Sequence, residues 1–296
     1  MSSTVASSAT ASERWWPAPA KLNLLLHVTA RRADGYHDLQ TLFQLLDWGD
    51  ELRFEITADP AIERTSGPAA IPPEEDLCLR AARLLQRVTG ERQGTRIHLR
   101  KRIPMGGGLG GGSSDAATTL LVLDRLWGTA LGTAGLCQLG LELGSDVPVF
   151  VQGSSAWAEG RGERLTPLEL PERWYLIIHP GVAVGTREIF QAPELTRNSP
   201  IITIRAASAA LGLGGGARND CEPVVRSRFP QVAAALEWLA KRAGAHLSGT
   251  GSCIFAAFAK AADAERVAAQ VPDEWTSYVA RGVNRSPLAA ALATWC

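Results

Sequence analysis

The sequence predicts an α/β protein of two lobes, on three observations. The first is the stretch Pro104-Met105-Gly106-Gly107-Gly108-Leu109-Gly110-Gly111-Gly112-Ser113-Ser114, in which six of the seven residues from 106 to 112 are glycine, set between a strand pattern and a helix pattern. The second is the interspersal of short strand-like apolar runs with segments at helix-face spacing along the chain. The third is size. With 296 residues, 46% hydrophobic and 20% charged, the chain can build two ordinary domains, or one large one, around a real core.

A backbone as bare as the glycine stretch costs folding entropy, so a compact protein keeps it where side chains would obstruct something. Upstream, Ile97, Leu99 and Ile103 alternate with Arg96, Arg100 and Arg102, a half-buried strand. Downstream, Ser113 or Ser114 can cap a helix in which Ala117, Leu120, Leu121 and Trp127 share a face. Strand, glycine loop and helix start together form an anion cradle, and phosphate is its commonest occupant. Three uses compete. A linker does not sit tightly between a strand and a capped helix. Dinucleotide binding is formally allowed by Gly106, Gly108 and Gly111, but that match is nearly automatic here, and the arginine-rich strand is unlike the apolar strand such a unit needs. A nucleotide-triphosphate loop that is not a Walker A, since no Gly-Lys-Ser/Thr closes it, fits best.

Lys+Arg and Asp+Glu balance at 30 each, which excludes bulk electrostatic capture of nucleic acid or an anionic membrane. Positive charge is local, at Arg100-Lys101-Arg102 beside the glycine loop. Five cysteines (78, 137, 221, 253, 296), odd in number and without C-x-x-C, read as free thiols in a reducing, cytoplasmic setting. Residues 1–13, mostly Ser, Ala and Thr, are expected to be a disordered tail and not a secretory signal. No run approaches the ~18 apolar residues of a membrane helix, and no internal repeat is found.

In chain order, Pro17 and Pro19 fix an extended entry to a strand over Leu22 to Val28, with Lys21 and Asn23 on one face. A lone lysine there is most simply a solvated edge. Asp34-Gly35 signals a turn before Tyr36-His37, and taken alone that pair is more often a loop anchor than a ligand contact. Leu39 to Phe54 reads as two strands broken by a Trp48-Gly49-Asp50 turn, and residues 59–76 as a loop. Leu77 to Val88 is a helix with Leu77, Ala81, Leu84, Leu85 and Val88 inward, and a further helix lies near Leu136 to Leu143. Asp146, between that helix and an apolar segment, is either a cap or the carboxylate of a phosphate site.

Ala156 to Leu168 suggests a hairpin, Trp174 to His179 a strand, Thr186 to Phe190 a helix start, and Phe229 to Ala243 a helix. Gly212 to Gly216 looks like a surface loop. Ser248-Gly249-Thr250-Gly251-Ser252 is a small-residue turn entering an apolar strand. Three segments thus share small residues, backbone donors and adjacent hydroxyls, which suggests one polyphosphate site assembled from distant parts of the chain.

Pro19-Ala20-Lys21-Leu22-Asn23, the stretch from Pro104 to Ser114, and Ser248 to Ser252 resemble, in order, the three motifs of the GHMP small-molecule kinases. Arg32-Ala33-Asp34-Gly35-Tyr36-His37, Leu39 to Phe43, Gly144 to Phe150 and Gly282 to Leu288 narrow the resemblance to the branch acting on a cytidine diphosphate-linked methylerythritol, over roughly residues 15 to 290. The resemblance implies a two-domain, two-layer α+β fold with its site in the cleft between lobes. Residues 14–158 would bind ATP, 159–282 would form the substrate domain, and 283–296 would return to the first domain as a strand or tail. It implies transfer of the ATP γ-phosphate to the 2-hydroxyl of the methylerythritol, with Mg²⁺. Asp146 would accept the hydroxyl proton beside Lys21. Lys101 and the residues from Pro104 to Ser114 would hold ATP, with Gly249, Thr250 and Gly251 as the third loop. Asn23, Tyr36, His37, Asp146, Thr186 and Phe190 would hold the substrate, its cytosine sandwiched by Tyr36 and Phe190 with His37 at its edge. Metal ligands are not indicated. Asp76 stands where the family carries Asn near the adenine.

The partner is therefore a small molecule, with neither nucleic acid, membrane nor an obligate protein partner implied. The rivals are a kinase for homoserine or mevalonate, a dinucleotide-dependent oxidoreductase, and a non-catalytic nucleotide-binding protein. The Asp34-Gly35-Tyr36-His37 segment argues against the first, and retention of both Lys21 and Asp146 against the last.

Overall fold

A computed structural model describes residues 13–69, 71–212 and 218–295. Residues 1–12 of the expected tail and residues 213–216 of the expected Gly212 to Gly216 loop lie outside the described residues, and Gly212 itself ends a helix.

Strand β1 (Trp16–Arg31) runs antiparallel to β2 (His37–Thr57), Trp16 facing Leu52 at one limit and Arg31 facing His37 at the other. The expected break at Trp48-Gly49-Asp50 is absent: β2 is one strand of 21 residues. Gly49 pairs with Pro19, and a Cβ on it would lie 2.1 Å from the Ala18 carbonyl oxygen. This glycine serves close approach of two backbones inside a sheet, not a turn. The expected loop over 59–76 also holds β3 (Ile62–Ser66), parallel to β4 (Gly94–Arg100). Only Ile62 of β3 is buried, so this edge strand has no alternation to betray it.

Helix α1 (Leu77–Thr89) starts at Asp76, whose Oδ1 accepts from the Cys78 and Leu79 N–H groups at 2.8 and 3.3 Å. Val88, expected inward, is half exposed in its last turn. After β4 comes the glycine loop, then α2 (Gly111–Leu126), α3 (Gly132–Leu143) and the short α4 (Val147–Gln152). The hairpin of β5 (Ala156–Gly160) and β6 (Arg164–Pro167) adds to the first sheet, with Leu39 facing Gly160.

The second lobe has β7 (Trp174–His179), α5 (Thr186–Gln191), α6 (Ile204–Gly212), α7 (Glu222–Arg228) and α8 (Pro230–Ala240). It continues with β8 (His246–Leu247), β9 (Ile254–Phe258), α9 (Ala261–Ala268) and β10 (Thr276–Val283), after which α10 (Pro287–Ala293) returns to the first lobe. Strand β10 is the seam between lobes. Its residues 276–281 pair with β7, and Gly282 and Val283 pair with Leu46 and Leu45 of β2. Within the segment 283–296, expected as a strand or tail on the first domain, Val283 ends β10 and residues 287–293 form helix α10, whose Leu288 joins the first core, followed by Trp295, edge-on to Trp16 at 5.3 Å.

Three apolar cores follow from this topology. One lies under α1, α2 and α3, and a second under the helices of the second lobe. The third joins them, packing Leu22, Leu42 and Leu46 of the first sheet against Tyr175, Ile177 and Phe255 of the second. Each such fully buried side chain contributes about 1.5–3 kcal/mol of transfer free energy. Burial at the seam therefore opposes separation of the lobes and fixes the loops on either side of it.

Candidate active site

The glycine loop is fixed from both lobes. Ser252 and Cys253 donate their N–H groups to the Gly106 and Gly107 carbonyls at 3.1 and 3.0 Å, and Lys21 N–H donates to the Leu109 carbonyl at 3.0 Å. The Gly108 carbonyl accepts from Ser248 Oγ and from Lys21 Nζ, both at 3.0 Å. Gly108 has φ +73°, and a Cβ there would lie 2.1 Å from the Ser248 carbonyl oxygen. Only glycine allows this approach. The three small-residue segments are thereby laced into one structure.

Helix α2 begins earlier than the serines suggest. Its N-cap is Gly110, at φ +74°, with no side-chain capping bond. Ser113 and Ser114 are already inside the first turn, so neither is the expected cap. Without a side-chain cap, the first-turn N–H groups and the helix dipole stay available to an anion.

Lys21 is not a solvated edge residue: it is buried, and its Nζ lies 3.2 Å from Asp146 Oδ2. It also donates to Asn23 Oδ1 at 2.5 Å. Asn23 Nδ2 in turn donates to Thr41 Oγ1 at 2.8 Å, and Thr41 Oγ1 donates to the Leu25 carbonyl at 2.6 Å. The alternation of β1 puts Lys21 and Asn23 side by side, so Asn23 steers the lysine as well as facing the cavity. Asp146 precedes α4 without making a side-chain cap bond, which removes the capping explanation. Its side chain is 33% exposed against 4% for that of Lys21, so the carboxylate faces the opening and the cation sits behind it.

A single cavity of about 960 Å³ takes in Lys21, Asn23, Asp146, Lys101 and the loop from Pro104 to Ser113. It also takes in Tyr36, His37, Thr186, Phe190, Gly249 and Thr250. Thr186 and Thr250 share a hydroxyl hydrogen bond at 3.1 Å. Two expected site residues lie off it. Ser114 is fully buried with its Oγ unpartnered within the protein, and a Cβ on Gly251 would face Leu247 and Val225. The expected pairing of Tyr36 with Phe190 also differs in detail. Phe190 stacks on His37, with centroids 5.3 Å apart and planes at 27°, whereas the half-exposed Tyr36 ring lies under Arg161 at 4.7 Å.

Lys101 reaches the cavity from a buried ion cluster. Its Nζ lies 2.6 Å from both Asp50 Oδ2 and Asp115 Oδ2. Asp50 Oδ1 also accepts from the Arg102 and Ile103 N–H groups at 2.6 and 2.8 Å, pinning the exit of β4 into the loop. Asp115 Oδ1 has no protein partner. One lysine between two buried carboxylates leaves excess negative charge. Burial, with the nearby Asp50 charge outweighed in part by Lys101, pushes the Asp115 carboxyl up to about 8. Asp76, apart from capping α1, pairs with Arg64, so the protein itself occupies the carboxylate at the position where an adenine contact was in question.

Sequence reasoning missed Asp50, Asp115, Arg161 and Arg197, and placed Thr41 and Ser248 in motifs without giving them a role. Arg161, between Gly160 and Gly162 at a hairpin tip, carried a local signal, a long cation on a tight turn; the others act through partners remote in sequence.

A strand-borne lysine, a carboxylate and an uncapped helix start around a glycine loop define, in this fold, a small-molecule kinase of the GHMP class. The family model for the GHMP kinases N terminal domain matches residues 76–154, and that for GHMP kinases C terminal matches 201–277. The 4-diphosphocytidyl-2-C-methyl-D-erythritol kinase of Alkalilimnicola ehrlichii is 54% identical over 279 residues, 94% of each chain. That of Nitrosococcus oceani is 55% identical over 273 residues, covering 92% of this chain and 96% of its own. A crystal structure of 4-(cytidine 5'-diphospho)-2C-methyl-D-erythritol kinase superposes with a TM-score of 0.79 at 35% identity, covering 91% of this chain and all of that one. The chain belongs to the 4-diphosphocytidyl-2-C-methyl-D-erythritol kinase family.

Proposed function

We infer that the chain transfers the γ-phosphate of ATP to the 2-hydroxyl of 4-diphosphocytidyl-2-C-methyl-D-erythritol, giving the 2-phosphate and ADP, in the non-mevalonate route to isoprenoid precursors. The observation that carries this reading is the Lys21–Asp146 pair, at 3.2 Å, in the same cavity as the glycine loop and the His37–Phe190 stack. Phosphoryl chemistry and a site for a flat base thus share one space.

In the reaction the substrate 2-hydroxyl oxygen bonds to the γ-phosphorus as the bond to the β,γ-bridging oxygen breaks. Its proton passes to Asp146, and ADP takes the electron pair. Lys21 pairs with the Asp146 carboxylate and offsets charge growing on the transferred group. The N–H groups at the start of α2 hold the phosphates, so alignment and charge supply most of the acceleration. The aromatic rings of Tyr36, His37 and Phe190 and the Arg161 guanidinium offer stacking and edge contacts to the cytosine.

Among the described residues no cluster of three His, Cys, Asp or Glu side chains could cage a metal. Mg²⁺ needs no such cage, since ATP phosphates and water supply most of its ligands. The Ser113 hydroxyl, which lines the cavity close to Gly144, fits as the protein's share. Bound there, the ion would neutralise phosphate charge. None of the described helices is long and apolar enough to cross a membrane. The free thiols of Cys78, Cys137, Cys221 and Cys253 support placing the protein in the cytoplasm.

The test is ADP release from Mg-ATP with the cytidylyl substrate, beside mevalonate and homoserine. Release with the cytidylyl compound alone is expected; release only with a control would overturn the substrate.

A further inference from the structure

Arg197 follows α5, outside every motif, yet its guanidinium is fully committed. Nε donates to His37 Nε2 at 3.1 Å. Nη1 donates to the Leu195 and Pro193 carbonyls at 3.1 and 3.4 Å, and Nη2 to the Ala192 and Phe190 carbonyls at 2.6 and 3.1 Å. A guanidinium has five N–H donors and no acceptor, so the direction of every one of these bonds is fixed. His37 Nε2 can only accept. The ring therefore carries its proton on Nδ1, and it cannot take a second without placing an N–H against the guanidinium.

The surroundings of His37 act in the same direction. Arg31 faces it in register across β1, Phe190 covers its ring, and the adjacent Asp38 is turned to Arg32 at 3.2 Å. Burial, then the charges of Arg197 and Arg31, hold the imidazole below its usual range. The same guanidinium ties down the carbonyls of Phe190 and Ala192, groups that α5 leaves without an intrahelical partner. One side chain thus holds both members of the stacked pair.

We propose that Arg197 is a positioning residue for base recognition: it fixes His37 as a neutral Nδ1–H donor for an acceptor on the edge of the substrate's base, and prevents its ionisation. The proposal rests on the cytidylyl reading for the identity of that base. A donor of fixed sense suits the carbonyl oxygen and unprotonated ring nitrogen that cytosine presents. Suppressed ionisation keeps recognition independent of pH where free histidine titrates.

The experiment combines imidazole ¹⁵N NMR of the histidine-labelled full chain, with the His37 signal assigned by His37→Asn, and steady-state kinetics of Arg197→Met. In the wild type, His37 is expected with its proton on Nδ1 and with its titration shifted below that of a free histidine. In Arg197→Met, His37 should titrate at a higher pH than in the wild type, still below its ordinary value because burial and Arg31 remain. KM for the cytidylyl substrate should rise about tenfold, the loss of one neutral hydrogen bond, and should rise further in acid. KM for ATP and kcat should stay within about twofold. A proton on Nε2 in the wild type, or an Arg197→Met enzyme whose KM keeps the wild-type pH profile, overturns the proposal. If the variant does not fold, the wild-type tautomer decides alone. Absence of wild-type turnover with the cytidylyl substrate would instead fail the functional reading and leave the tautomer result standing.

Discussion

Lys21 Nζ lies 3.2 Å from Asp146 Oδ2, with the lysine almost wholly enclosed and the carboxylate open to the cavity. The pair is held by more than mutual attraction. Asn23 Oδ1 and the Gly108 carbonyl take two further ammonium protons, so the cation cannot swing away when the carboxylate picks up a proton. This asymmetry fits the proposed roles, with the exposed carboxylate towards substrate and the buried ammonium behind it.

Asp146→Asn keeps the shape and removes the base. Turnover should fall by ~10²–10⁴-fold, with ATP affinity, read by titration, unchanged. A mutant turning over at a near-normal rate would sink the assignment.

Lys21→Met removes the cation proposed to offset charge on the transferred group, and kcat should drop by about 10²–10³-fold. Asn23→Ala should produce a smaller loss in kcat, because Lys21 loses one tether and keeps its charge. Kinetics of the two variants and of the double variant test this: coupled residues give a double loss smaller than the product of the singles.

Gly108→Ala places a methyl group 2.1 Å from the Ser248 carbonyl oxygen at a positive φ. Strain and overpacking together should cost about 2–4 kcal/mol, seen as a lower urea midpoint and weakened ATP binding. Unchanged stability would mean that the loop and third motif are not in this contact.

Asp115 gives a pH dependence of known sign. Its carboxyl is raised to about 8 in the fold from 3.8, so between those values the native state binds more protons than the unfolded one. The group's contribution is full below the unfolded value, is lost as pH rises towards about 8, and levels beyond it. Asp115→Asn cannot ionise. Its stability relative to the wild type should therefore improve as pH rises through that window. Urea unfolding of both proteins at several pH values measures the difference, and a gap independent of pH would show that Asp115 stays ionised.

Legibility in the sequence followed the range of the interaction. The glycine loop, α1, α8 and the β5–β6 hairpin show themselves in local periodicity and turn chemistry, because each is stabilised within its own segment. Strand β3 and the unbroken course of β2 do not. Ile62 to Ser66 is a strand only because β4 lies beside it, and Gly49 looks like a turn until Ala18 is seen against it. Ser113 and Ser114 look like caps by composition, but the helix starts at Gly110, whose left-handed φ admits the turn into α2.

By itself the sequence determined the chemical vocabulary: a lysine and an asparagine on one strand face, a glycine loop before a helix, a carboxylate ahead of an apolar segment, and an aromatic beside an imidazole. Their motif order placed them in a kinase family. The tertiary structure decided which of them meet. It joined Lys21 to Asp146, drew Lys101 into a cluster with Asp50 and Asp115, turned Ser114 and Gly251 away from the cavity, and brought Arg197 behind His37. These outcomes rest on hydrogen bonds and ion pairs between residues far apart in the chain. Such contacts depend on sheet register and core packing, which no local window of sequence contains.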